Sequence, residues 1–117
     1  MVKMKESDYI EKLFTLWPTE GETSADALAL ADEAVRAYPH SAKLWCMRGN
    51  LIELGPAGIP YGLEDALACY ERAVVIDPNF AEGHEEIGHF YDAVMPNPSR
   101  ARRAFREAAR VRQGQKA

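Results

Sequence analysis

This chain is poor in the residues that build covalent or metal-held frameworks. Its 117 residues include two cysteines and three histidines. Cys46 and Cys69 do not amount to a disulfide scaffold, and they read as reduced thiols and small core residues of a cytoplasmic protein. No apolar run approaches the roughly 18 residues that a membrane span needs. The start, Met1 to Ser7, has lysines with no apolar run behind them, so it does not read as a secretory signal. Strings of alternating apolar and polar residues, the mark of half-buried strands, are also missing, which leaves helix as the regular structure.

Catalytic and cofactor motifs are lacking too. His84-Glu85-Glu86-Ile87-Gly88-His89 resembles the helical zinc pattern, which needs its histidines four apart so that both face one metal. Here they are five apart, about 140° around a helix, and Gly88 holds the required position. Gly55-x2-Gly58-x3-Gly62 is followed by Leu63-Glu64, without the lysine and hydroxyl of a phosphate loop. Cys46 has no base beside it in sequence, as a thiol nucleophile would need. The expectation is a protein that is not an enzyme, with no metal and no cofactor.

Helical periodicity is what the chain does have, punctuated by 7 prolines and 8 glycines. Six helices are predicted. The first runs from Ser7 to Trp17 and is stopped by Pro18. The second starts at Ser24, an N-cap for free first-turn amides, and ends before Pro39. Ser41 caps the third, which reaches Leu54. After the turn-rich segment 55–62, the fourth runs from Leu63 to Ile76. Asn79 with Glu82 three residues on suggests a capping box for the fifth, which reaches Val94. Pro98, at a first helical position where its missing N–H costs nothing, starts the sixth. That helix is expected to fade near Gly114, leaving residues 115–117 as a frayed tail.

The second, fourth and sixth helices align by residue type. They read Ala27-x3-Ala31-x2-Ala34, Ala66-x3-Tyr70-x2-Ala73 and Ala101-x3-Phe105-x2-Ala108, at offsets of 39 and 35 residues. Pro39 and Pro78 each follow the last alanine by five. The third and fifth helices carry Trp45-x2-Arg48-Gly49-x2-Ile52 and His84-x2-Ile87-Gly88-x2-Tyr91. Small residues at Gly49, Gly88 and the alanines let helices approach closely, and the large ones fill the space between pairs. A pair alone cannot bury its apolar face, so pairs must stack.

This pattern resembles the tetratricopeptide repeat, with its Trp, Leu-Gly, Tyr, Ala, aromatic, Ala and Pro across about 34 residues. The resemblance implies an all-α fold. Antiparallel helix pairs would stack as a short right-handed α-solenoid, three units and six helices in a single domain spanning residues 1–117. The units are about 8–40, 41–79 with a long inter-helix loop at 55–62, and 80–113. The first unit matches in its second helix alone. In the second unit Arg48 stands where the pattern has Leu, and Ile52 where it has Tyr. The inter-helix connections of the second and third units are about five residues and one residue longer than the pattern.

Repeats of this kind use the first helix of each pair to line a concave surface. The matching row is Lys43, Cys46, Asn50 and Glu53 in the second pair. In the third it is Glu82, Glu85, His89 and Asp92, and in the first Tyr9, Lys12 and Leu16. The carboxylates favour a protein or peptide partner with basic residues. Lys12 and Asn50 superficially suggest a clamp for a C-terminal carboxylate, but Glu82 and Glu86 would repel one. The implied function is a protein–protein interaction scaffold or adaptor.

Two features lie outside that row. The segment 55–62 offers Ile59 and Tyr61 as contact candidates, or it is an insertion folded over the helix ends. Residues 100–117 hold seven basic residues against one acid, a net charge of +6 that leaves −10 on residues 1–99. Arg103, Arg106 and Arg110 share a strip of the last helix, with Arg102 near it. That strip reads as a polar closing face, or as the contact of a self-associating building block that meets the acidic body of another copy. Nucleic acid is disfavoured because the body is acidic and no aromatic residues interleave with the arginines.

Overall fold

The computed structural model describes residues 3–56 and 58–116. Among them all regular structure is helical: α1 Glu6–Thr15, α2 Ala25–Ala37, α3 Ala42–Glu53, α4 Leu63–Ile76, α5 Ala81–His89 and α6 Pro98–Lys116. A π-helical turn, Phe90–Val94, prolongs α5. The helices pack against their neighbours in sequence as a short helical solenoid, and α3 also meets α5.

Local chemistry sets most of the boundaries. Ser24 Oγ accepts from the Ala27 N–H at 3.1 Å and Ser41 Oγ from the Leu44 N–H at 3.2 Å, satisfying free amides of α2 and α3. Asp8 and Asp65 reach back to the N–H groups of Lys5 and Gly62, at 2.8 and 2.7 Å, and so open α1 and α4. The capping box expected at Asn79 does not form. Asp77 to Phe80 closes a turn first, through Phe80 N–H to Asp77 O at 3.0 Å, while the Asn79 N–H bonds Asp77 Oδ1. Phe80 therefore becomes the N-cap of α5, without a side-chain cap.

Helix α1 ends two residues early, where Leu16 and Trp17 N–H bond three residues back in a tightened turn. Helix α6 runs past Gly114, and Gln115 Nε2 donates to Asn79 O at 3.0 Å. Ala117, the end of the expected tail, lies outside the described residues.

Packing rests on large side chains set against small ones. Leu13, Leu44, Leu51, Tyr70 and Phe90 are fully buried, each contributing roughly 1.5–3 kcal/mol of apolar transfer. A Cβ on Gly49 would sit 2.6 Å from the Tyr70 ring, and one on Gly88 2.6 Å from the Phe105 ring. The α3–α4 and α5–α6 pairs thus share one contact: an aromatic ring of the second helix lies on a glycine of the first.

Candidate partner-binding surface

The side-by-side placement of α3 and α5 brings their polar residues together. Lys43 Nζ lies 2.9 Å from Glu82 Oε2, and Asn50 Nδ2 donates to Glu86 Oε2 at 2.9 Å. The same amide donates to the Tyr70 hydroxyl at 3.0 Å, which ties the α3–α5 surface to α4. Glu53 is half-buried at the end of this row. Burial pushes its carboxyl above the usual range, the Tyr70 hydroxyl opposes that, and the nearby Glu86 charge adds to the rise.

The predicted row is thereby divided. Lys43, Asn50, Glu53, Glu82 and Glu85 lie on or beside the surface, and His89 and Asp92 are exposed. His89 sets its ring edge-on to Phe105, centroids 5.1 Å apart. Glu82 and Glu85 carry cations already, Lys43 and Arg112. Cys46 is 3% exposed, a core residue whose thiol is pushed up to about 12 by burial and then by Glu86. In α1, Tyr9 is buried edge-on to Tyr38, centroids 6.0 Å apart, whereas Lys12 and Leu16 are exposed. His84 is half-buried with Nε2 2.8 Å from Pro78 O.

Two residues of the surface were outside the sequence-derived row. Glu86, named from the sequence only as a carboxylate that would repel a C-terminal one, lies one helical turn after Glu82. Tyr70 follows from the repeat only as a space-filling aromatic, and nothing in its spacing signals that its hydroxyl reaches the α3–α5 side.

The loop after α3 is held inward. Tyr61 OH donates to Asp32 Oδ2 at 2.6 Å, and Arg48 Nε donates to Asp32 Oδ1 at 2.8 Å. The Arg48 guanidinium stacks over Tyr61, 4.8 Å from its centroid, and Nη1 is 3.0 Å from Cys69 Sγ. Burial works against the Arg48 charge and is the largest single influence, but Asp32, Cys69 and Tyr61 together outweigh it and raise the pKa. Ile59 is half-buried beside Gly55. These bonds fold the insertion over α2 and α3.

On α6, the exposed arginines are Arg102, Arg103, Arg106 and Arg110. Arg110 Nε lies 3.0 Å from Glu107 of its own helix. Among the described residues no group of three or more His, Cys, Asp or Glu side chains is placed to hold a metal ion, and no helix is long and apolar enough to cross a membrane.

No known protein family's sequence model matches this chain. The chain is similar to anaphase-promoting complex subunit 3 of Schizosaccharomyces pombe, with 30% identity over 82 residues. The match covers 70% of this chain and 11% of the length of that protein.

Proposed function

We propose that this chain is a protein-interaction module built of three tetratricopeptide-like pairs, which holds a partner segment along α3 and α5. The segment brings a lysine or arginine to Glu53 and Glu86. The observation that carries this is the polar surface where α3 and α5 meet: Glu53 is half-buried there, and Glu86, whose charge acts on it, accepts from Asn50 Nδ2 at 2.9 Å. A ligand cation there would replace the water that burial removed, and two carboxylates can share it. The named role of the similar protein, a subunit of a complex, agrees with a surface that meets other proteins.

The test uses three unstructured peptides of equal length, rich in Lys/Arg, in Glu, or neutral, titrated by calorimetry. The basic peptide should bind best. Glu53→Gln with Glu86→Gln should weaken it by about tenfold, roughly 1.4 kcal/mol, with the thermal melt retained. A bound cation favours the Glu53 anion, so binding at a pH within that group's titration range should release protons. Affinity should rise with pH through the upward-shifted titration of Glu53 and level off above it. Equal affinity for all three peptides, or an unchanged double variant, would refute the reading.

A further inference from the structure

We propose that the arginine face of α6 docks on the acidic solvent face of α2 in a second copy of this chain, joining copies head to tail. The reading is independent of the α3–α5 surface. Helix α6 buries Ala101, Ala104, Ala108 and Val111. At about 100° per residue, Arg102, Arg103, Arg106 and Arg110 fall on the opposite side. Among the described residues Arg102, Arg103 and Arg106 form no ion pair, and Arg110 pairs only within its own helix.

The repeat offset of 35 sharpens the point. It sets Arg102 and Arg106 where α4 has Leu67 and Glu71, residues that line hollows shared with the third pair. Arg102 and Arg106 thus stand at positions through which the preceding pair meets its successor, and Arg103 and Arg110 beside them match the exposed Ala68 and Val75 of α4. Arginine suits that place, because its planar fork bonds carboxylates bidentately.

The chain carries its own complement. Residues 1–99 hold a net charge of −10, and α2 buries Ala27, Leu28, Ala31, Ala34 and Val35. Its opposite face presents Asp26 and Glu33, both exposed and without an ion-pair partner among the described residues, Glu33 lying beside the Tyr9 hydroxyl of α1. Ala25 and Ala29, also exposed, lie beside the hollow that α2 shares with Pro56, Ile59, Pro60 and Tyr61 of the folded-in loop, so a docking helix meets α2 on its Asp26 and Glu33 side. Asp26 and Glu33 are seven residues apart, as are Arg103 and Arg110, about 10.5 Å along either helix. Parallel pairing sets Arg103 opposite Asp26 and Arg110 opposite Glu33, and leaves Arg36 of α2 opposite the neutral Gln113. The two faces differ, so the contact is heterologous and propagates unless the rotation closes a ring.

Sedimentation velocity over a concentration series tests this. Wild type should associate at about 0.01 M salt, where charges act across roughly 30 Å, and dissociate near 1 M, where they act across roughly 3 Å. Arg103→Glu with Arg110→Glu should be monomeric, as should Asp26→Arg with Glu33→Arg. An equimolar mixture of the two should associate again, because each reversed face meets its complement. Circular dichroism checks that both variants are helical. If the α2 variant loses helix, Asp26→Arg alone takes its place in the mixture. Wild type that stays monomeric at low salt, an arginine variant that still associates, or a mixture that stays monomeric would each overturn the proposal. So would a monomer that instead binds duplex DNA through α6.

Discussion

Arg48 stands where the repeat pattern has an apolar residue, and its surroundings explain how a charge is kept there. Its side chain is 16% exposed and that of Asp32 is 23% exposed, with Nε–Oδ1 at 2.8 Å. Tyr61 OH satisfies the second carboxylate oxygen, and Trp45 and Tyr61 offer ring faces to the guanidinium. A pair this enclosed is worth less than its geometry suggests, since both ions gave up water to form it. Removing one partner is a different matter, because the other charge then stays half-buried and alone. Asp32→Ala should destabilise the fold by about 1.5–3 kcal/mol. Adding Arg48→Leu, the residue of the pattern, should recover much of the loss. Urea melts of the two single variants and the double variant measure this. A double variant no more stable than Asp32→Ala alone would mean that the pair itself carries the stability.

The paired helices depend on glycine at two places where nothing larger fits. Gly49 lies under Tyr70 and within reach of Ala66 O, where a Cβ would come to 3.1 Å. Alanine is the better helix former by about 1 kcal/mol, yet the ring would have to move. Gly49→Ala should therefore destabilise by about 1–3 kcal/mol. Gly114→Ala, on an exposed turn of α6 with nothing within 4 Å, should stabilise by up to about 1 kcal/mol. Thermal melts with opposite signs would bear this out. These glycines, the alanine–aromatic–alanine triplets and the serine caps were legible in the sequence, because each acts over one or two turns. The π-turn was not. Between Tyr91 and Ala101 the chain has one residue more than the repeat pattern, and a longer loop was the simpler expectation. Phe90 and Tyr91 are both buried, and the helix widens there, with Met95 N–H bonding Phe90 O at 2.9 Å and Asn97 N–H bonding Tyr91 O at 2.7 Å. The candidate surface was half legible for a related reason. Spacing placed Asn50, Glu82 and Glu85 on outward rows, but which carboxylates already hold a cation depends on Lys43 and on Arg112, the latter 27 residues from its partner.

A solenoid distributes its stability differently from a single globule. Each pair is held by its neighbours, so a pair with neighbours on both sides has more to lose on opening than a pair at either end. Here the middle pair, α3 with α4, touches α2 and α5. It also receives Thr23 Oγ1 at Leu51 O, 2.7 Å away, and anchors the folded-in loop through Arg48. The first pair has the thinnest attachment. Leu13 and Tyr9 are all that α1 buries against α2, Tyr38 OH bonds Met4 O at 2.6 Å, and Ser41 Oγ bonds Glu6 Oε1 at 2.6 Å. Phe14 meanwhile stays 57% exposed. Native-state hydrogen exchange should therefore grade along the chain. Amides of α3 and α4 should exchange only through global opening, those of α5 and α6 sooner, and those of α1 first, through local detachment. Tyr38→Phe removes the bond to Met4 O and should speed exchange in α1 while leaving α3 and α4 unchanged. Equal protection in all six helices, or a Tyr38→Phe effect that spreads evenly, would mean that the chain opens as one cooperative unit and that the stacked-pair account of its energetics is wrong.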